Sequence, residues 1–275
     1  TGTITKGKPE CSGVFVADDI SHDNLVAFAA SVEQYSEHPI ASSIIVYANA
    51  KDCTHQPTNT RVRESTALVK TPTIDPSTIY VFAYSWTPGF CSGQPSYPGC
   101  KNPEEYWKYN LTVHGLWPQY ATTGYPSFCS KEPFDPSVPE LIGMDTMYTY
   151  WPDVKYDASS SNYDSFWEHE WSKHGTCSGL TQLEYFNQTV HLAQILETTP
   201  YISENIYGNA STSNIRKEYG GDTHTLLQCD GSKLVGIYTC WNQTGGFPTT
   251  QTACPDSIIH EDTCTGSPYV YIAGL

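Results

Sequence analysis

Apolar and polar positions follow three different regimes along the chain. From His22 to Ala50, the residues Leu25, Phe28, Ala29, Val32, Ile40, Ile44 and Val46 recur at helical spacing, broken once by Pro39, which predicts a helical segment. Residues 51–77 are rich in Thr and Pro with little apolar periodicity and read as a linker. From Thr78 onward the pattern is that of a compact α+β domain. Tyr80-Val-Phe-Ala-Tyr-Ser-Trp86 is aromatic and β-branched, hence a strand, and Leu111–His114 is a second, short one. The Trp117-Pro118 pair after it is expected to turn the chain. Asp164–Thr176 and Leu183–Thr199 read as helices. Thr223–Cys229 and Leu234–Trp241 flank Asp230-Gly231 and read as a hairpin.

One helix combines core and chemistry. Phe166-Trp-Glu-His-Glu-Trp-Ser-Lys-His-Gly-Thr-Cys177 places histidines, glutamates and a lysine within a few turns. Residues four apart share a face, so Phe166, Glu170 and His174 align, His169 and Lys173 form an adjacent row, and Trp167 and Trp171 a third, suited to packing on the body. The face is expected to be ionisable on one side and core on the other. Lys173 and a protonated His169 can hold a phosphate, and Glu170 can orient a neighbouring His or raise its pKa. A zinc protease would need H-E-x-x-H. His169 and His174 are five apart and cannot clamp one metal from a straight helix, so no metal or other cofactor is expected. A second histidine, His114, ends the apolar run Leu111-Thr-Val and precedes Gly115-Leu-Trp-Pro118. Two histidines in separate aromatic-rich segments suit general acid–base catalysis, in which one accepts a proton while the other donates.

Composition narrows the setting. The 275 residues carry 14 Lys+Arg against 29 Asp+Glu, a net charge of −15 that excludes a basic nucleic-acid-binding groove. The nine histidines, all protonated, would still leave six negative charges uncompensated, so any polyanion must be bound locally. The apolar run Leu25–Val32 is too short to span a bilayer and nothing near Thr1 reads as a signal peptide, so a soluble, mature or truncated chain is expected. Ten cysteines without a C-x-x-C pair, and the sequons at Asn110, Asn187, Asn209 and Asn242, point to disulfides and glycans in an oxidising compartment, either extracellular or in a vacuolar or lysosomal lumen.

His114-Gly-Leu-Trp-Pro118 and Phe166–Cys177 resemble the two signature segments of the ribonuclease T2 family, and Tyr80–Cys91 resembles the strand and turn that precede them. The resemblance covers about residues 78–275. It implies an α+β fold with a central antiparallel β-sheet flanked by helices, stabilised by disulfides, and metal-independent, base-nonspecific cleavage of single-stranded RNA by a monomer. DNA, which lacks the 2′-hydroxyl, is not expected to react. By position, His174 would be the base, His114 the acid, Glu170 and Lys173 the pair stabilising the phosphorane, and His169 the phosphate-binding histidine. Trp117 and Tyr125 would form the first base pocket and Phe166 part of the second. Gln119 stands where some fungal members carry an Asp that favours adenine. The family's plant-like pattern implies Cys91–Cys100, Cys129–Cys177, Cys229–Cys264 and Cys240–Cys254, which leaves Cys11 with Cys53. A catalytically idle secreted glycoprotein of the same fold, acting as a binding or signalling module, is the alternative; intact His114, Glu170, Lys173 and His174 argue against it.

Thr1–Pro9 and Ala29–Ala41 are similar instead to parts of the heavy-metal P-type ATPases, with His38 at the position of an ATP-contacting histidine. No membrane helix or Gly-Asp-Gly hinge accompanies them. Residues 1–77 are therefore expected to be a non-catalytic extension of a catalytic domain at 78–275.

Overall fold

The computed structural model describes residues 74–275, apart from 76, 95 and 123. The helical segment His22–Ala50, His38, the Cys11/Cys53 pair and nearly all of the 51–77 linker lie outside the described residues. Val69–Leu275 is one compact unit.

The chain runs β1 (Thr78–Ser85), α1 (Thr87–Gly93), α2 (Pro98–Lys101), α3 (Glu105–Tyr109), β2 (Thr112–Tyr120), α4 (Ser137–Ile142), α5 (Met144–Tyr150), α6 (Ser165–Lys173), a 3₁₀ turn (Gly175–Cys177) and α7 (Gln182–Ile195). It continues through α8 (Pro200–Ser203), β3 (Gly208–Ser211), α9 (Thr212–Glu218), β4 (Thr225–Asp230), β5 (Lys233–Thr244), β6 (Phe247–Thr252), α10 (Asp256–Ile259) and β7 (Tyr269–Ile272). The sheet has the order β2-β1-β5-β7-β3, with β4 and β6 also paired to β5. Its pairings are antiparallel except for one parallel bridge, Lys233 to Tyr271.

Strand β1 is buried on both faces. Tyr80, Phe82 and Tyr84 face the main core, which the helices cover, while Ile79 and Val81 join Leu226, Cys240, Cys254 and Ile258 in a smaller cluster behind the sheet. The tyrosine hydroxyls are satisfied by backbone: Tyr80 donates to the Gly246 carbonyl (2.6 Å) and Tyr84 to that of Leu196 (2.8 Å). Trp167 and Trp171 of α6 are fully buried, and the Trp167 indole donates to the Trp151 carbonyl at 2.8 Å.

Three local expectations need correction. Strand β2 does not stop at His114 but continues through Trp117-Pro118 to Tyr120, and no turn forms at the proline. Pro118 is tolerated because β2 is the edge strand, where a missing N–H breaks no ladder. The helix expected to reach Thr176 ends at Lys173; His174 caps it and a 3₁₀ turn follows. The helix expected to reach Thr199 ends at Ile195. Beyond it the Thr198 hydroxyl accepts from the Leu111 N–H (2.7 Å), and Pro200 disfavours helical Thr199. The hairpin joins β4 to β5 through Gly231 and Ser232, with Gly231 at φ +59°.

Disulfides join Cys91 to Cys100, Cys129 to Cys177, Cys229 to Cys264 and Cys240 to Cys254. Asn187, Asn209 and Asn242 are exposed, whereas Asn110 is half-buried and its amide donates to the Tyr106 carbonyl at 3.0 Å.

Candidate active site

The register of β2 positions the first histidine. Ala83 pairs with Gly115, but Tyr84 pairs with Val113, so His114 is an extra residue in the ladder, a β-bulge. The bulge reverses the alternation: Val113 before it and Leu116 after it both face the main core. Two contacts from the helical layer fix it. The Trp151 indole donates to the His114 carbonyl (3.1 Å) and the Tyr185 hydroxyl to that of Leu116 (2.8 Å).

Helix α6 and the cap that follows supply the facing wall. The Trp117 ring contacts both imidazoles, edge-on to His114 at 5.1 Å and stacked on His174 at 5.3 Å, with 27° between the latter planes. Phe166 lies 5.6 Å from His114, and Tyr125 lies 6.3 Å from His174 with the Lys173 ammonium 5.8 Å from its ring centroid. The loop bearing Tyr125 is tied to the end of α6 by the Phe128 N–H, which donates to the Lys173 carbonyl (3.0 Å), and by the Cys129–Cys177 bridge. Gln119 is buried, and its amide nitrogen is committed to the Gly124 carbonyl at 3.0 Å.

Every catalytic and substrate-binding residue assigned from the ribonuclease T2 resemblance lines one cleft of about 680 Å³: His114, Trp117, Gln119, Tyr125, Phe166, His169, Glu170, Lys173 and His174. Asp153, Lys155, Tyr156 and Ser165 also line it, and no motif marks them in the sequence. A second pocket of about 260 Å³ adjoins it and shares His114, Asp153, Lys155 and Phe166.

Glu170 is only 2% exposed, and its carboxylate accepts from the Trp117 indole N–H at 2.8 Å rather than pairing with a histidine. Burial pushes its pKa up to about 8, against the opposing pull of Trp117 and Lys173. Gly115 packs directly against this pair, and a Cβ there would collide with the Glu170 carboxylate and the Trp117 indole.

The histidines shift the other way. Burial lowers His114 to about 4, helped by the charges of Lys155, His169 and Lys173, and lowers His174 to about 3, helped by Lys173, His169 and His114. Desolvation, Lys173 and Lys155 also lower His169. In the free cleft His114 and His174 are therefore neutral at mildly acid pH. Protonating either imidazole there means adding a charge beside Lys173, a repulsion that a bound anion would relieve. His174 Nδ1 is buried with no hydrogen-bond partner among the described residues. Among those residues no group of three or more His, Cys, Asp or Glu converges on a metal site, and no helix is long and apolar enough to cross a membrane.

Residues 77–249 match the family described as the ribonuclease T2 family. The chain belongs to the ribonuclease T2 family. It is 36% identical over 183 residues to Ribonuclease 1 of Arabidopsis thaliana, covering 60% of this chain and 76% of that protein. It is 30% identical over 201 residues to Ribonuclease DdI of Dictyostelium discoideum, covering 68% and 82%. Among solved structures, a variant of ribonuclease MC1, a bitter gourd seed protein, in complex with 5′-GMP aligns with a TM-score of 0.50 at 28% identity over 62% of this chain and 91% of that one. The chain is thus an enzyme of the ribonuclease T2 type, and its mixed sheet, helical cover and disulfides are those of a ribonuclease T2 fold.

Proposed function

We propose that the cleft cleaves single-stranded RNA by metal-independent acid–base transphosphorylation. The observation that carries this reading is the pair of imidazoles, His114 and His174, each packed on the Trp117 ring in a cleft that also holds Lys173 and His169. RNA brings its own nucleophile, so the protein needs a base, an acid and cations aimed at the phosphoryl charge. Neutral His174 takes the 2′-hydroxyl proton, O2′ attacks phosphorus, and His114 protonates the departing 5′-oxygen. His169 and Lys173 hold the non-bridging oxygens. Glu170, kept protonated by burial, gives the transition state a neutral donor beside Lys173 without adding a negative charge.

The depressed histidine pKa values support a substrate-driven protonation. Lys155, His169 and Lys173 hold the His114 proton off in the empty cleft, and an entering phosphate offsets those charges, so the acid is loaded when substrate arrives. The product is a 2′,3′-cyclic phosphate, hydrolysed more slowly to a 3′-phosphate with the two histidines exchanging roles. Trp117 and Tyr125 stack the upstream base, and Phe166 with the adjoining pocket receives the leaving nucleoside on the His114 side. Stacking contributes about 1–3 kcal/mol per base with little preference among bases. The four disulfides and the exposed Asn187, Asn209 and Asn242 support a glycosylated protein of an oxidising compartment.

Product analysis tests the reading. A dinucleoside monophosphate should yield a 2′,3′-cyclic phosphate before any 3′-phosphate, and its 2′-deoxy counterpart should stay intact. Direct formation of a 5′-phosphate, or cleavage of the deoxy substrate, would overturn it.

A further inference from the structure

Lys155 enters the reading above only through its charge beside His114, with no contact to the substrate assigned to it. It follows the edge of the main core, where Trp151, Pro152 and Asp153 are buried, and it is exposed. Its backbone N–H donates to the Asp153 carboxylate at 3.0 Å, and the Asp153 N–H in turn donates to the Tyr163 hydroxyl at 3.2 Å, so its place is set by a segment anchored in the core. Its side chain lines both the catalytic cleft and the adjoining pocket. The residues common to both cavities, His114, Asp153, Lys155 and Phe166, mark the junction that the RNA must cross between the scissile phosphate and the leaving nucleoside.

The ammonium is not neutralised there. Among the described residues the ion pairs are Lys108–Glu105 and Arg216–Asp262, and neither involves a cleft residue. The acids two residues away on either side are Asp153, which is 4% exposed and accepts from the Lys155 backbone N–H, and Asp157, which is exposed and accepts from the Ser159 N–H and hydroxyl; neither forms an ion pair with the Lys155 ammonium. Exposed lysines on an acidic protein usually sit near carboxylates; one left unpaired between two ligand cavities calls for an anion from outside. His169 and Lys173 already serve the scissile phosphate from helix α6. The next anion along the strand is the 3′-phosphate of the leaving nucleotide.

We propose that Lys155 forms a second phosphate subsite, which binds the 3′-phosphate of the nucleotide leaving from the adjoining pocket and makes the enzyme favour RNA that continues beyond that nucleotide. This rests on the ribonuclease reading above. It assigns Lys155 a binding role on the substrate, separate from the proton transfers of His114 and His174.

The test compares ApU with ApUp, its 3′-phosphorylated form, at pH 5 and low ionic strength. Wild-type protein should cleave ApUp with a kcat/KM about five- to tenfold higher, as expected of one charge-assisted contact. In Lys155→Ala and Lys155→Gln that ratio should fall to about one, and Lys155→Arg should retain most of it. A wild-type ratio of one, or a ratio unchanged in both neutral variants, would overturn the subsite while leaving the ribonuclease reading in place. Wild-type protein that cleaves neither substrate would overturn both.

Discussion

Replacing Glu170 with Gln isolates the most unusual group in the cleft. The substitution keeps the shape of the side chain and an oxygen that can accept from the Trp117 indole, now at 2.8 Å from the carboxylate, and removes only the ability to ionise. Burial raises the folded-state pKa from 4.5 to about 8. Between those values the native state keeps a proton that the unfolded chain has released, so this group's contribution to stability is complete below pH 4.5 and is lost as pH rises towards 8. At about 1.4 kcal/mol per unit, wild type should lose about 2–3 kcal/mol relative to Glu170→Gln between pH 5 and pH 7. His114 and His174 act in the opposite sense below pH 6.5, but both proteins carry them and the difference cancels their effect. Urea unfolding followed by tryptophan fluorescence at pH 5, 6, 7 and 8 measures the gap. A gap that does not change with pH would refute a buried, protonated Glu170. At pH 5 the same variant should cleave RNA more like wild type than Glu170→Ala does, because a neutral donor remains.

Further consequences can be measured directly. The depressed pKa of about 4 for His114 makes its acid form scarce in the free enzyme as pH rises, so kcat/KM for single-stranded RNA should fall from pH 5 to pH 7; a rate that climbs over that range contradicts His114 as the acid. Gly115→Ala should abolish cleavage and lower the melting temperature, since its Cβ would displace the Glu170–Trp117 pair; wild-type activity would show that the pair is dispensable. Trp117→Phe removes the indole donor and should destabilise the fold by about 1–3 kcal/mol in chemical denaturation. Opening the Cys129–Cys177 bridge with a double Ala substitution should cost about 4 kcal/mol, by the entropy of freeing the 48-residue loop, and should loosen the Tyr125 loop.

The site was more legible in the sequence than its geometry. Helical spacing placed Trp167 and Trp171 in the core and His169 and Lys173 on the cleft, because those rows follow from 3.6 residues per turn. It set Glu170 on the cleft face with Phe166 and His174 but left its depth open, since periodicity assigns a face and the Trp117 indole that bonds its carboxylate comes from strand β2. The bulge at His114 left a visible trace: Leu111 and Val113 alternate, then Leu116 breaks the parity, which is how an extra residue in a strand reads. Pro118 was misread as a turn because edge position, which makes it harmless, is a property of the assembled sheet. Asp153 and Lys155 carry no motif; only the packing of the 152–165 segment beside α6 brings them to the cleft. The acidic composition excludes a basic groove, and the cleft gathers Lys155, Lys173 and His169 at one point.

The central claim is that His114 and His174 exchange protons with RNA and no metal takes part. Cleavage of single-stranded RNA in EDTA across pH 4 to 8, with Ala substitutions at His114 and at His174 beside wild type, tests it most directly. Wild-type cleavage should persist in chelator with an acid optimum, and each substitution should lower the rate at least about a hundredfold; loss of activity in EDTA, or survival of both variants, would contradict the proposed mechanism.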